Sequence, residues 1–454
     1  MQQSTGPGRN WKALIPVAAL LLLVGALGAV LRLGTAGQDG QDGAPALPRL
    51  QQAQTSIALR SVFAGPTPTL DCAAGRSWRV VGSPNLAGPA VPGGEAGEGP
   101  TGDEGEERGG SVLADVAALA PNDAWAVGSS HSGLLVETLV EHWDGKEWRI
   151  AFSQVVASRG SQFNSVAAVS PGDVWAVGGY LLNGHTVPLI ERWNGSEWGL
   201  VAPAPVSATV GIFNGVAALT ESDAWAVGYY TDERGISRTL AQHWDGKEWS
   251  TVPTPSVGQR PNTLTGVVMR ATDDVWAVGY RVAEKNQYVP VTMHWNGKEW
   301  RMVEAPAPGK VSNYLYDVTL AGSTDVWAAG YQYNGSGPVI PLLLRWDGVE
   351  WRTMDSPQVD SEYVVLNSVS ATAEDDVWVA GINGQPDRTN KSLVAHWDGE
   401  EWSRTASPGN GATTNNLKSV TALNPTSVWA VGYHDLANRA ASTLVAQYGE
   451  PCER

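Results

Sequence analysis

The segments Asp123-Ala124-Trp125-Ala126-Val127-Gly128 and His142-Trp143-Asp144-Gly145-Lys146-Glu147-Trp148 form a pair of motifs that recurs along the chain. The first motif has the form W-[AV]-[AV]-G, and its tryptophan stands at residues 125, 175, 225, 276, 327, 378 and 429. The second motif follows each of the first six copies and ends at residues 148, 198, 249, 300, 351 and 402. A fixed period of this length is typical of proteins built from repeated supersecondary units.

Each repeat predicts four short antiparallel strands, A to D. Strand A is an apolar run such as Val166–Val169, strand B begins near Val174, strand C ends at Trp193 and strand D begins at Glu197. Asp-Gly or Asn-Gly between strands C and D is a strong hairpin signal, because such turns need residues that accept a positive φ. The Asp that stands two residues before each of the first six strand-B tryptophans favours a turn that bonds its own backbone. These positions are Asp123, Asp173, Asp223, Asp274, Asp325 and Asp376.

A single four-stranded sheet cannot bury both of its faces, so the repeats must pack radially as blades. The seventh repeat has strands A (417–423), B (427–433) and C (443–448), but no strand D follows. Ser77-Trp78-Arg79-Val80-Val81 matches the strand-D pattern and precedes the first strand A. The sequence therefore predicts an all-β fold, a seven-bladed β-propeller over residues 71–454 that an N-terminal strand closes.

The only two cysteines flank this closure. Cys72 precedes the closing strand and Cys452 follows the last strand C. In an extracytoplasmic protein we expect them to form a disulfide. The alternatives, two reactive thiols or a metal pair, would need His and carboxylate residues nearby.

An apolar segment near the N-terminus, uncharged from Ala13 to Leu31, predicts a membrane-directed protein. Residues 13–33 are long and apolar enough to cross a bilayer, and basic residues in the segment 1–12 place the N-terminus in the cytoplasm. This segment is a transmembrane signal anchor, or a signal peptide that is cleaved. Residues 34–70 are expected to form a flexible linker, and residues 85–110 a disordered acidic loop. The propeller would then be extracytoplasmic, tethered in the cell membrane or secreted.

The composition restricts the partners. Lys and Arg total 30 against 46 Asp and Glu, a net charge of −16, which argues against a nucleic-acid ligand. No nucleophile elbow, phosphate-binding loop or metalloprotease motif is present in the sequence, so we expect no cofactor, metal or catalytic residue.

The repeats resemble those of bacterial seven-bladed β-propellers, and are similar in broad plan to kelch, galactose-oxidase-like and Asp-box propellers. The Asp-Gly-x-x-Trp turn at Asp144 resembles the Asp box, but its Asp and Gly are adjacent and no Ser or Thr precedes them. The Gly-Gly pair of kelch strands occurs only at Gly178-Gly179. The resemblance implies the fold, and no family's catalytic residues carry over.

The connections from B to C and from D to A vary between repeats, and binding residues concentrate on such loops. We call the face that they form the variable face. Near it, beside the central channel, one position of strand A carries Ala114, Asn164, Asn214, Thr265, Tyr316, Asn367 and Lys418. This polar ring, together with Asp115 and Asp317 at the next position, is the candidate ligand-binding site. The alternative is that these residues cap the strands and hold channel waters.

Two further groups of side chains have alternative interpretations. The carboxylates of Asp115 and Asp317 would face one another across the channel, as in a hydrolase or a cation site. Tyrosines that follow the strand-B glycine pack between blades, or stack on sugar rings. They are Tyr229, Tyr280, Tyr331 and Tyr433. Histidines at one strand-C position are expected to be structural partners of the tryptophan that follows each of them. They are His142, His243, His294 and His396.

The sequence thus favours a non-catalytic binding module for a protein or glycan. The alternative is a glycan-acting hydrolase or lyase whose site lies at the channel mouth. A purely structural surface module is a third possibility, because the fold does not decide among these functions.

Overall fold

A computed structural model describes residues 62–64, 77–86, 110–132, 135–154, 160–206, 208–387, 389–409, 411–412, 414–435 and 441–449. The chain divides into the units Met1–Leu59 and Arg60–Arg454, and all described residues belong to the second. The structure is all-β, with seven antiparallel four-stranded units that repeat along the chain, and a parallel pair between Asn390 and Thr414 joins the last two units into one sheet. The described residues contain one short 3-10 helix, Glu284–Asn286, and no helix with the length and apolar character needed to cross a membrane.

The four strands of each sheet follow the predicted order. Strand A of blades 1 to 7 is Gly110–Ala120, Ser161–Ser170, Gly211–Thr220, Asn262–Ala271, Ser312–Ala321, Val364–Ala373 and Thr414–Asn424. Strand B is Asp123–Ser132, Asp173–Leu182, Asp223–Thr231, Asp274–Val282, Asp325–Tyr333, Asp376–Gly384 and Ser427–Asp435. Strand C is Leu135–Trp143, His185–Trp193, Ser237–Trp244, Tyr288–Trp295, Val339–Trp346, Asn390–Trp397 and Ser442–Gly449. Strand D is Trp148–Ile150, Trp198–Leu200, Trp249–Thr251, Trp300–Met302, Trp351–Thr353 and Trp402–Arg404, and Ser77–Val81 in blade 7.

The N-terminal strand closes the seventh sheet as predicted. Ser77–Val81 pairs antiparallel with Ser442–Gly449, and Trp78 lies opposite Tyr448. The guanidinium of Arg79 donates hydrogen bonds to the side-chain oxygen of Gln447. Two strands far apart in the sequence, Ser77–Val81 and Ser442–Gly449, therefore belong to one sheet.

Clusters of tryptophans join consecutive blades. The strand-B Trp125 contacts Trp193 and Trp198 of the next blade, with ring centroids 5.0 and 5.4 Å apart. The same three-ring cluster recurs between every pair of neighbours, with Tyr448 and Trp78 completing the one around Trp378. Trp429 of blade 7 contacts Trp143 and Trp148 of blade 1 in the same way. The seven sheets therefore follow one another in a closed cycle, which fits the predicted propeller.

The indole N–H groups of strand C have acceptors more often than those of strands B and D. Those of Trp143, Trp193, Trp244 and Trp295 donate to a carbonyl of the preceding A–B turn, as Trp143 does to Pro121 at 3.1 Å. Most strand-B and strand-D indoles, including Trp125 and Trp198, are buried and have no hydrogen-bond acceptor. Their rings meet edge to face, which places an electropositive ring edge against an electronegative ring face.

The aspartates at the start of strand B do not form the predicted backbone turn. Asp123 Oδ1 lies 2.8 Å from Nε2 of His142, whose ring stacks on Trp125 at 4.1 Å. The reason is register: His142 pairs with Trp125, and Asp123 lies two residues away on the same face of the sheet. The histidines are structural, but they stack on the strand-B tryptophan and not on the tryptophan that follows them.

Blades 2 and 5 use Arg at the same position. Arg192 Nε donates to Asp173 at 2.5 Å, and its guanidinium lies 4.6 Å from the centre of the Trp175 ring. Each carboxylate thus holds a flat cationic or aromatic group over the tryptophan behind it.

The Asx turn occurs instead between strands C and D. Asp144 Oδ1 accepts hydrogen bonds from the backbone N–H groups of Lys146 and Glu147, at 2.9 and 3.0 Å. Gly145 has a φ of 90°, whereas Asp144 keeps a negative φ. The hairpin prediction is confirmed, but its loop has four residues and only the glycine needs the left-handed conformation.

A β-bulge in each strand A explains the glycine of the first motif. In blade 3 the pairing of strands A and B shifts between Phe213 and Gly215, so Asn214 is an extra residue. The bulge moves the strand-A backbone toward Gly228, where a Cβ atom would lie 2.0 Å from the carbonyl oxygen of Ile212. The equivalent glycines of the other blades meet the same obstacle at 1.8–2.1 Å. The motif glycine is therefore a consequence of close backbone approach.

A strand-C position beside the motif histidine holds buried polar groups in the first three blades. Glu141, Glu191 and Gln242 are fully buried at this position. Glu141 accepts a hydrogen bond of 2.7 Å from the Ser83 hydroxyl, and burial raises its pKa to about 8. Each of these groups binds the connection that leads out of the preceding blade; Gln242, for example, bonds both the N–H and the carbonyl of Ala204 at 3.0 Å.

Several predictions on the N-terminal region fall largely outside the described residues. These include the membrane segment 13–33, both cysteines and most of the acidic loop 85–110. Within the predicted linker 34–70, Val62–Ala64 forms a strand that pairs with Pro84–Leu86. A three-residue strand is too short to show a periodic pattern, so the sequence does not reveal it.

Replacing Gly228 with Ala is expected to destabilise the protein by about 3 kcal/mol or more, because the new methyl group would overlap backbone rather than a movable side chain. Gly199→Ala is the matched control. A Cβ atom there would lie 3.9 Å from its nearest neighbour, so the urea midpoint of that variant should match that of the native protein. Equal midpoints for both variants would contradict the close-approach explanation.

Glu141→Gln is expected to stabilise the protein increasingly as the pH rises from about 4.5 to 8, since Gln occupies the same position in blade 3. The carboxyl has a pKa of about 8 in the fold against 4.5 in the unfolded chain. The contribution of this carboxyl group to the free energy of unfolding is therefore complete below pH 4.5. It decreases as the pH rises to 8 and does not change further above that pH. Urea unfolding of both proteins from pH 4.5 to 9 measures the difference. A constant difference over this range would show that Glu141 does not titrate as stated.

Candidate functional site

The structure brings the seven residues of the predicted ring and the two aspartates to one cavity in the centre of the ring. The cavity has a volume of about 160 Å³. It is lined by the bulged residues of strand A and by the residues that follow them. The ring residues are Ala114, Asn164, Asn214, Thr265, Tyr316, Asn367 and Lys418, and Asp115 and Asp317 lie at the next position. The bulge thus turns one side chain of every blade toward the channel.

Four of the bulged side chains connect their blade to the next one. Asn164 Nδ2 donates to the carbonyl of Phe213 at 2.8 Å, and Asn214 Nδ2 donates to that of Leu264 at 2.7 Å. Thr265 and Asn367 make the equivalent bonds at 2.9 and 2.6 Å. These side chains therefore hold neighbouring blades together, which agrees with the alternative interpretation that they cap the strands.

The two channel carboxylates also bridge neighbouring blades. Asp115 accepts hydrogen bonds from the N–H groups of Val116 and Val166, both at 2.9 Å, and from the Ser419 hydroxyl at 2.6 Å. These three donors belong to blades 1, 2 and 7. The carboxylate consequently joins three consecutive blades.

Asp317 makes the corresponding bonds on blades 5 and 6. It accepts from the N–H groups of Val318 and Val369 at 2.8 and 2.9 Å, and from the Ser368 hydroxyl at 2.7 Å. Burial, with a smaller contribution from the charge of Asp115, raises its pKa to about 6. Burial also raises the pKa of Asp115. The two carboxylates line the same cavity and influence one another, as the sequence predicts.

The position of Asp115 and Asp317 is occupied by Ser or Gly in the other blades. Ser165 and Ser368 accept the same interblade bond, from the N–H groups of Val216 and Val420 at 3.2 and 3.1 Å. In blades 3 and 4 the position is glycine, and a Cβ atom there would lie 3.2 Å from the backbone of the next strand A. Interblade contact therefore limits this position to small or hydrogen-bonding side chains.

Lys418 differs from the other bulged residues. Its ammonium lies 5.8 Å from the centre of the Tyr433 ring. Among the described residues, no carboxylate lies within 4 Å of it. Burial alone lowers the pKa of Lys418 to about 8. The ammonium is thus a cation in the channel wall without a counter-charge from the described chain.

Tyrosines surround the variable-face mouth of the channel. Tyr314 lies 4.5 Å from Tyr280, 4.8 Å from Tyr288 and 4.9 Å from Tyr331, measured between ring centroids. All four side chains are half-buried. We call these residues, together with Tyr229, Tyr316, Tyr363 and Tyr433, the tyrosine arc.

The arc residues belong to blades 3 to 7, and direct ring contacts join those of blades 4 and 5. Burial raises the pKa of Tyr363 to about 12, and its hydroxyl is near enough to Tyr433 for the two ionisations to oppose each other. Tyr363 affects the pKa of Tyr316 and Tyr331 in the same way. At the other end of the arc, Tyr229 likewise raises the pKa of Tyr280.

The sequence indicates only part of this arc. The tyrosines that follow the strand-B glycine are recognisable by their spacing, whereas Tyr288, Tyr314 and Tyr363 occupy unrelated repeat positions. The different positions of tyrosine and tryptophan within the repeat were a sequence signal that could have located the arc. Eleven of the twelve tyrosines lie toward the variable face, and the twenty repeat tryptophans lie toward the other face.

Buried amides hold the connections that lead into the arc strands of blades 4 and 5. Asn313 Oδ1 accepts from the N–H of Gly309 at 2.6 Å, and its Nδ2 donates to the carbonyls of Gly309 and Tyr288 at 2.7 and 3.1 Å. Asn262 binds the corresponding connection in blade 4. Apart from Tyr363, the arc tyrosines lie within strands, near the ends that these connections join.

In the part of the chain that the structure describes, no group of three His, Cys, Asp or Glu side chains is placed to hold a metal ion. The strand-C histidines lie in separate blades, each beside its own aspartate.

No protein-family model and no curated protein sequence matches this chain. Among solved structures, the chain is similar to a polysaccharide lyase, an ulvan lyase bound to -[GlcA(1-4)Rha3S]-, at 12% identity and a TM-score of 0.50 over 72% of this chain and 90% of the lyase. It is also similar to YCF48 bound to D1 peptide, at 13% identity and a TM-score of 0.46 over 74% and 91% of the two chains. A Trypanosoma rangeli sialidase in complex with sialic acid matches at 11% identity and a TM-score of 0.39, over 73% of this chain and 53% of the sialidase.

These neighbours are β-propeller proteins. At such low identity the likeness to the ulvan lyase concerns the fold alone. Neither the kelch nor the Asp-box subtype follows from it.

Asp317→Ser is expected to keep the fold, because serine makes the same interblade bond in blades 2 and 6. Asp317→Ala should lose about 2 kcal/mol of stability, since it leaves the N–H of Val369 without its acceptor. Urea unfolding at pH 5 compares the two variants. Equal losses in both would show that the carboxylate, and not the interblade bond, is what the fold requires.

Proposed function

We propose that the protein is a seven-bladed β-propeller that binds a polypeptide or glycan at the channel mouth of its variable face and catalyses no reaction. The observation that carries this proposal is the tyrosine arc, a set of half-buried phenol rings near the strand ends of the variable face. Tyrosine offers a rigid surface that is apolar on its ring and polar at its hydroxyl, so it contacts ligands at a small cost in conformational entropy. The hydroxyl and amide lining of the channel supplies further hydrogen-bonding groups.

The proposal includes a location. The apolar segment 13–33 supports a membrane-tethered protein with an extracytoplasmic propeller, or a secreted one after cleavage. In that compartment Cys72 and Cys452 would form the disulfide expected from the sequence.

The hydrogen bonding of the channel carboxylates favours binding over catalysis. Asp115 and Asp317 each accept three hydrogen bonds from groups that hold neighbouring blades together. A general acid or nucleophile needs a carboxylate that can reach its substrate. The oxygens of these two carboxylates are already occupied by hydrogen bonds within and between blades.

A glycan-acting hydrolase or lyase is the second candidate, and one observation favours it. The pKa of Asp317, raised to about 6, lies in the range that suits a proton donor near neutral pH. Replacing both Asp115 and Asp317 with serine separates the candidates, because serine preserves the interblade bonds. Release of reducing ends from polysaccharides that the native protein performs and the double variant does not would establish the enzyme.

Removal of rings from the arc is expected to weaken ligand binding. If the ligand is a polysaccharide, its presence in a native gel should slow the migration of the full-length protein. If the ligand is a peptide, the protein should show saturable binding to a member of a peptide panel. Tyr288→Ala and Tyr363→Ala should each raise the dissociation constant about tenfold, since the loss of one stacked ring costs about 1.4 kcal/mol.

Tyr180→Ala is the control for this experiment. Tyr180 is a half-buried strand-B tyrosine on the same face, and it lies in blade 2, outside the arc. It should bind like the native protein. An equal loss in Tyr180→Ala, or no loss in the two arc variants, would remove the arc from the binding site.

A further inference from the structure

Lys418 occupies a strand-A position at which the side chain usually forms a hydrogen bond with the next blade of the propeller. In blades 2, 3, 4 and 6 the bulged residue donates a hydrogen bond to a carbonyl of the next blade. No such bond is made by Lys418 among the described residues, and the residue at its position in the next blade is Ala114, whose methyl group leaves space beside the ammonium. Blade 7 therefore departs from the structural use of this position.

No carboxylate of the described residues offsets the cost of placing this ammonium in the channel wall. A buried or half-buried ammonium is normally paired with an anion, because removal from water disfavours the charge. Asp115 and Asp317 line the same cavity, but their oxygens are occupied by interblade donors. They make no ion pair with Lys418, and neither contributes to its pKa shift, which burial alone produces.

The immediate surroundings of the ammonium suit a hydroxylated ring. The Tyr433 ring lies 5.8 Å away, and the Tyr433 hydroxyl accepts a hydrogen bond of 3.1 Å from Nδ2 of Asn416. Tyr316 lines the same cavity as Lys418, and its ring lies 6.2 Å from Tyr314 and 5.9 Å from Tyr331, measured between centroids. One cation thus stands at the end of a row of phenol rings.

We propose that this site recognises an acidic glycan, with the carboxylate of a uronic acid residue paired to Lys418 and the following sugar rings placed along the tyrosine arc. A pyranose ring has apolar C–H faces that stack on phenol rings, and its hydroxyls bond to their oxygens. The carboxylate supplies the counter-charge that the described chain does not provide. This inference rests on the proposed binding function and names the class of its ligand.

The test compares one polymer with and without its charge. Full-length protein is run in native gels that contain polygalacturonate, alginate or hyaluronan, and in gels that contain the same polygalacturonate after methyl esterification. We expect at least one uronate polymer to retard the native protein. For that polymer, Lys418→Met should raise the dissociation constant tenfold or more, and Lys418→Arg should stay close to the native value.

Two comparisons isolate the contact. Lys391→Met removes an exposed lysine on the same face, at the start of strand C in blade 6, and should leave the affinity unchanged. Esterified polygalacturonate should bind the native protein and Lys418→Met equally. Melting temperatures of all variants establish that each one folds.

Each of the other outcomes overturns the inference of an acidic glycan. The outcomes differ in whether the proposed binding function is kept. Retardation by charged and esterified polymers alike, weakened by Tyr288→Ala, would reject the acidic ligand and keep the binding function. Lys418-dependent binding of a peptide carboxylate, with no retardation by the three uronate polymers, would replace the glycan with a polypeptide. Failure to bind any polysaccharide or peptide would reject the proposed function as well.

Discussion

The contact between tryptophans of neighbouring blades is the interaction on which the rest of the fold depends. Each strand-B tryptophan meets two rings of the next blade, and the cluster between Trp429, Trp143 and Trp148 connects the last blade to the first. Because a single four-stranded sheet has two apolar faces, its stability comes from these interblade contacts. The His or Arg that stacks on the same tryptophan, and the aspartate that holds it, complete a unit that repeats in the first six blades. Blade 7 replaces the pair with Ser427 and Gln447, and Gln447 bonds Arg79 of the closing strand.

The stabilising role of one face leaves the other face available for variation. The tryptophans, the short A–B turns and the Asx turns at Asp144 and its equivalents lie together, and their uniformity reflects the geometry that the interblade clusters require. The tyrosines lie toward the opposite face, mostly near strand ends beside connections of variable length. The different distribution of two aromatic residues separates the structural surface of this protein from its candidate binding surface.

The channel shows how one structural device supplies a candidate site. The bulge in strand A is possible because a glycine in strand B allows the two backbones to approach, and it turns one side chain per blade toward the centre. Most of these side chains then bond the next blade, so their polarity serves assembly before it serves a ligand. Lys418 is informative because it lacks that bond. A polar ring read from a repeat is therefore an ambiguous sign of function, and the position that breaks the pattern carries more information than the positions that follow it.

The sequence by itself determined the repeat, the four strands of each unit, the closing strand Ser77–Val81 and the set of residues that meet in the channel. It could do so because strand periodicity, turn residues and a fixed repeat length are local properties. Only the tertiary structure decided what those residues contact. Asp123 has its partner across the sheet at His142, Asp115 bonds blades 2 and 7, and Tyr288, Tyr314 and Tyr363 reach one surface from unrelated repeat positions. Such partners are set by cross-strand register and by the order of blades around the ring, which join residues 50 or 300 positions apart and leave no local pattern in the sequence.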